Sequence, residues 1–395
     1  MSEAVLRVRG GAGGVAVELD RLDEAAAALA RSGAVLTGLG AELALLRLAP
    51  ALLAAAALDP RGAAHVQAEA SRALGARGVA GLAARTSSLG AALAVAVTGY
   101  RGADAAASSA VAGAGAWLRV AAPGPALVLA GPGLAAVALA AGGPRTVVVE
   151  APVAVPAGRP AAGVAGLLSR VGQLAPAPSG SGAVRAAAAQ PGRVRVERIT
   201  RPGRPPAAVV YVPGTQTWSV GGPVPMDAAT NLRALAGGRT ASGDAVVRAL
   251  RLAGVGPREP VLLVGHSQGG MTATALAGDP RFRAEFRPVA VLTAGAPLTG
   301  ARVPPGVAVL ALEHEGDVVP FVDGARPPDA AHWTTVVADS ASSAPHGLAG
   351  YARTGEDVDA SDHPSLLAWR EAAAPFLDGA GARSVSTDWV ARRAP

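Results

Sequence analysis

From residue 193 onward the chain alternates short apolar runs with amphipathic stretches, and few folds accommodate that order. Arg193–Thr200 alternates polar and apolar residues, as a half-exposed strand does. Arg201-Pro202-Gly203-Arg204 reads as a turn. Ala208–Val212, Val261–Val264, Val289–Thr293, Val307–Leu312 and Thr334–Val337 are short continuous apolar runs. Runs of that kind suit strands covered on both faces, the usual state of a parallel sheet. Helical stretches are expected at 227–236 and 243–253, from Gly269 onward, and at Ser365–Phe376. The order predicts an α/β fold with a mainly parallel sheet and helices on both sides, over residues 191–380.

The preceding half has another texture. Leu19, Leu22, Ala26 and Leu29, then Leu36, Leu39, Leu43 and Leu46, recur at helical spacing. Asp59-Pro60-Arg61-Gly62 breaks the run as a turn would, and a second helical stretch runs toward Tyr100 and Trp117. Residues 1–119 therefore read as an all-α hairpin or bundle. Residues 120–190 read as an Ala/Gly/Pro-rich connection, with Val147–Val149 as a short strand and Ala175–Gly182 as a flexible link. Residues 381–395 read as a tail. Val120–Pro144 carries no charge and is long enough for a bilayer, where about 20 residues suffice. Pro123, Pro125, Gly131, Pro132 and Gly133 interrupt it, so the reading favours a segment packed on the body, with membrane contact as the alternative.

Composition narrows the chemistry. With no Cys, thiol catalysis, disulfides and Cys-bound metals are excluded. Every basic residue is Arg, which removes a lysine nucleophile or Schiff base. The Arg residues are spread out and only 3% of the chain is aromatic, so no stacking surface for nucleic acid is expected. The Asp, Glu and His residues show no metal-ligand spacing, and no cofactor is expected. The N-terminus lacks a basic segment followed by an apolar run, so no secretory signal is expected and the default location is cytoplasmic.

Gly265-His266-Ser267-Gln268-Gly269 follows the strand Val261–Val264 directly and precedes a helical run. A sharp strand-to-helix turn lifts a Ser hydroxyl to the carboxyl edge of a sheet, and the helix N-terminus favours negative charge there. Such a hydroxyl needs a base, and the base an orienting carboxylate. In this arrangement the acid and then the His follow the Ser along the chain. Asp317, in the turn after Val307–Leu312, is the candidate acid, with Glu315 as competitor. His346 is the candidate base and His363 the alternative, although Ser361-Asp362-His363-Pro364 already reads as a helix cap. An oxyanion needs two backbone N–H donors. Gln268 supplies one, and the loop after Ala208–Val212 the other, from Thr215 or Gln216. Trp218, Pro223, Pro225 and Met226 could line an apolar acyl site or simply pack.

On Val264–Gly270, Gly316–Pro320, His346 with Tyr351, and Pro213-Gly214-Thr215, the chain resembles the α/β-hydrolase superfamily in its lipase and esterase branch. The resemblance implies a Ser267–Asp317–His346 triad acting on a small-molecule or lipid ester. It departs from many lipases in having Pro-Gly-Thr where they carry His-Gly, and no long apolar lid is visible between 270 and 317. Acyl transfer on the same residues, or an inert hydrolase fold serving as an interaction module, are the competing readings. The N-terminal half resembles helical-hairpin modules of type VII secretion substrates through Tyr100-x-x-x-Asp104, without their usual Trp-x-Gly turn. That resemblance implies a secretion-system partner, or membrane-surface association, for the N-terminal helices, and export without a signal peptide.

Overall fold

The computed structural model describes residues 6–46, 54, 58–75, 77–95, 97–98, 147–149, 153–174, 190–218, 222–298, 300–322, 327–339 and 344–394. Tyr100, Asp104, Trp117, Val120–Pro144 and Ala175–Gly182 lie outside the described residues. The chain divides into two compact units, residues 16–109 and the remainder.

The smaller unit is helical. Val15–Leu46 is one long helix, and Pro60–Leu74 and 79–95 follow. Close approach sets the packing: a methyl added at Gly33 would meet the Ser87 hydroxyl, and one at Gly90 would meet the Ala26 carbonyl. Those pairings run antiparallel, as expected of a hairpin. The break at Asp59 is a helix start rather than a turn. Its carboxylate accepts from the Gly62 N–H at 3.0 Å, and Pro60 occupies the first turn, where a missing N–H costs nothing. The span Pro60–Val95 is apolar enough to cross a membrane, but the extended backbone of Gly75 divides it into two pieces, each shorter than about 20 residues.

The larger unit is built on a sheet of ten strands: β1 (Leu6–Gly10), β2 (Val147–Val149), β3 (Val153–Gly158), β4 (Arg193–Arg201), β5 (Arg204–Val212), β6 (Pro260–His266), β7 (Arg287–Ala294), β8 (Ala308–His314), β9 (Trp333–Ala338) and β10 (Arg383–Arg393). Their order is β1-β9-β8-β7-β6-β5-β4-β10-β2, with β3 also on β10. The sheet is mostly parallel. β5 to β9 run the same way, and antiparallel strands flank that block on both sides.

Alternate residues of each central strand feed two cores. Val210, Val261, Leu263, Val291 and Val309 face helices Ala241–Leu252 and Gln268–Gly278. Tyr211, Leu262, Val264, Leu292 and Leu310 face helices Val164–Gly172, Leu348–Ala360 and Pro364–Ala373. Both faces are apolar, so the strands read as unbroken apolar runs.

Three boundaries drawn from sequence are corrected. Residues 6–10, assigned to the helical domain, form edge strand β1 against β9. The connecting region 120–190 contributes β2, β3 and the helix Val164–Gly172, which buries Leu167 and Leu168. That helix has Gly163 before it and no cap of its own, and Asp359 accepts from the Val164 and Ala165 N–H groups instead. The tail 381–395 is strand β10, paired with β4. Its charge hid it. Asp388 is buried between Arg193 and Arg195 of β4, bonded to the Arg195 Nε at 2.6 Å.

Candidate functional site

The candidate nucleophile sits where β6 becomes the helix Gln268–Gly278. Ser267 has φ 53° and ψ −119°, and is the one non-glycine with positive φ among the described residues. Such a backbone costs about 1–3 kcal/mol and persists only where its surroundings enforce it. Here they do. The Ser267 N–H is held by the Ala294 carbonyl at the end of β7, at 2.8 Å. A methyl at Gly269 would lie 2.1 Å from the Val212 carbonyl oxygen, so only glycine lets the helix approach β5 this closely. Ser267 remains partly exposed. Its hydroxyl has no hydrogen-bond partner among the described residues, and such contacts commonly tighten only when substrate binds.

Asp317 and His346 are brought together. His346 Nδ1 lies 2.7 Å from Asp317 Oδ2. An ionised carboxylate can only accept, so Nδ1 carries the proton and Nε2 is left as the basic nitrogen. The Tyr351 hydroxyl donates to the same Asp317 oxygen at 2.7 Å, and the Val319 N–H donates to Oδ1 at 2.9 Å. Burial alone would raise the Asp317 carboxyl. The bonds from His346, Tyr351 and Val319 outweigh it and hold the group below the usual carboxylate value. Burial, with Asp317 beside it, pushes the Tyr351 phenol far up, so it stays a donor. Gly295 makes room for this assembly: its φ is 60°, and a methyl there would lie 3.0 Å from Asp317 Oδ2 and 3.1 Å from His346 Nδ1.

Two further histidines hold the loop that carries His346. His266 bonds the His346 carbonyl through Nε2 at 3.0 Å, and the two rings are 4.7 Å apart. Burial, then the neighbouring His346, lowers His266 to about 4, so it is neutral near pH 7 and Nε2–H is the donor. His314 donates from Nδ1 to the Pro345 carbonyl at 2.8 Å, accepts from the Thr354 hydroxyl, and stacks on Tyr351 at 3.8 Å. The carbonyls of two consecutive residues are thereby fixed, and the His346 ring is held beside the residue that precedes Ser267.

The other histidine candidate is engaged elsewhere. His363 Nδ1 accepts from the Ser365 N–H and caps the last helix. Glu315 points away from the site and pairs with Arg7 of β1. His332 bonds the Val303 carbonyl, and His65 is exposed on the helical unit.

In the candidate oxyanion loop the Thr215 and Gln216 amides differ in what they bond. The Gln216 N–H is taken by the Met226 carbonyl at 2.8 Å. The amides of Thr215 and Gln268 have no acceptor among the described residues. Gly214 lies against the strand-to-helix turn, where a methyl would come within 3.3 Å of Ser267 Cβ. Met226 is fully buried in the core beneath, in keeping with the packing alternative. Pro225 is buried too, while Trp218 is exposed.

Sequence reasoning missed Gly295, His266, His314 and Asn231. Only His266 carried a local signal, its place inside the G-x-S-x-G segment. Among the described residues, no three His, Asp or Glu side chains gather as metal ligands. Comparison with family models, curated proteins and solved structures found no match.

Proposed function

We propose that this protein is a serine hydrolase, similar to lipases and esterases of the α/β-hydrolase type, that cleaves carboxylic esters through an acyl-enzyme on Ser267. One observation carries the reading: the Asp317–His346 pair, bonded at 2.7 Å, lies in ring contact with the residue preceding a strained serine. In the reaction, Ser267 Oγ bonds to the ester carbonyl carbon as its proton passes to His346 Nε2. The carbonyl electron pair moves onto oxygen, and the Thr215 and Gln268 N–H groups stabilise that charge. Collapse of the intermediate breaks the C–O bond, and the departing alkoxide takes the proton from His346. Water repeats the sequence, releasing the acid and restoring Ser267. Asp317 stays ionised and keeps the imidazole in the working tautomer.

A chain-length series of p-nitrophenyl esters tests the proposal. Turnover is expected from the wild type and a loss of about a thousandfold or more from Ser267→Ala, Ser being one member of a unit. Equal turnover by Ser267→Ala overturns the assignment.

A further inference from the structure

Asn231 lies outside every motif in the sequence, on the short helix Ala228–Leu235. Its side chain nonetheless touches both residues proposed as oxyanion donors. Asn231 Nδ2 donates to the Thr215 hydroxyl at 2.9 Å, and Asn231 Oδ1 accepts from Gln268 Nε2 at 2.5 Å. Gln268 Nε2 also donates to the Asp227 carbonyl at 2.8 Å, and Gln268 is fully buried. The two donors come from different crossovers, one after β5 and one after β6. No backbone hydrogen bond between those segments is present among the described residues. Gln268 Nε2 ties its own turn to the Asp227 carbonyl, and the Asn231 amide carries the link on to Thr215.

The helix that carries Asn231 is itself fixed. Asp227 caps it by accepting from the Thr230 N–H at 2.9 Å. Arg393, near the end of β10, grips both Asp227 carboxylate oxygens at 2.7 and 2.8 Å, and also bonds the Gly222 and Val224 carbonyls. A bidentate pair of this kind sets orientation as well as energy.

From this geometry we infer that Asn231 is a positioning residue for the oxyanion hole, setting the Thr215 amide against the Gln268 amide. The inference rests on the proposed ester chemistry. An oxyanion donor stabilises the transition state far more than bound ester, because the charge develops only there. Asn231→Ala therefore lowers kcat by about 10- to 100-fold, the scale of a misplaced donor, and changes KM by less than about threefold. A boronic acid that forms a tetrahedral adduct on Ser267 loses affinity by the same factor as kcat/KM falls. Thr215→Val keeps the amide and removes the other end of the bond, so it gives a loss of the same order. The double variant is no worse than the poorer single one, because both act through one bond.

The experiment measures kcat, KM and boronic acid Ki on the full chain for wild type, Asn231→Ala, Thr215→Val and the double variant, each first checked by thermal unfolding. Should Asn231→Ala fail to fold, Thr215→Val carries the test. The inference is supported by parallel losses in kcat/KM and Ki with little change in KM. It is overturned if an active wild type gives variants with unchanged kcat and Ki, or with losses that multiply in the double variant. A wild type with no turnover and no adduct overturns the ester chemistry, and this inference with it.

Discussion

The Tyr351 hydroxyl donates to Asp317 through the same carboxylate oxygen that receives His346 Nδ1–H. Tyr351 thus shares the task of keeping a buried acid ionised. Asp317 has its folded value depressed, so its contribution to stability is present above the unfolded value, about 3.9, and is lost as pH falls through the folded one. Tyr351→Phe removes one donor and raises the folded value. Acid unfolding then begins at higher pH, and stability near neutrality falls by about 1.5–3 kcal/mol. Urea unfolding between pH 2.5 and 7 measures both effects.

His266 gives a separate pH dependence. Its folded value of about 4 lies below the ordinary imidazole value of 6.5, so the folded chain favours the neutral ring. Stability from this source is complete above pH 6.5 and is lost as pH falls toward 4. His266→Phe should flatten that part of the stability profile. Allowing for the ring's partial exposure, the change amounts to about 1–2 kcal/mol. A profile as steep in the variant as in the wild type contradicts the assignment.

Arg393 is read from sequence as part of a tail, yet it pairs with an Asp227 that is fully buried. Arg393→Ala leaves that carboxylate unpaired and should cost about 3–5 kcal/mol in chemical unfolding. Replacing both partners by neutral residues of similar size, Asp227→Asn with Arg393→Met, should cost less, because no buried charge then remains alone.

Gly295 separates the geometry of the proposed triad from stability. Its positive φ makes alanine costly by about 1–2 kcal/mol, and the added methyl also presses on Asp317, His346 and Tyr351. Gly295→Ala should lower ester turnover by more than 10-fold while the chain still folds, since a displacement of about 1 Å at reacting groups can cost about a hundredfold. Gly203, also at positive φ but with open space around it, serves as a control. Gly203→Ala should carry the backbone cost and leave turnover intact.

The central strands were legible because burial on both faces leaves unbroken apolar runs at Val261–Val264 and Val289–Thr293. The turn at Ser267 was legible because its strand, glycines and helix are contiguous in sequence. β10 was not, because its buried charges are neutralised by Arg193 and Arg195, far earlier in the chain. β1 was not, because five residues ahead of a long helix carry little pattern of their own. Asn231 and Gly295 act through contacts that exist only once the chain has folded. A side chain can bridge two loops, or be absent to make room, and in either case sequence spacing leaves no trace.

The central claim is that His346, oriented by Asp317, activates Ser267. Fluorophosphonate labelling followed by peptide mapping tests it most directly. The label is expected on Ser267, with His346→Ala slowing its attachment by about a thousandfold and His363→Ala leaving the rate within about threefold of wild type. Labelling that persists in Ser267→Ala, or a rate that collapses in His363→Ala and survives in His346→Ala, contradicts the account.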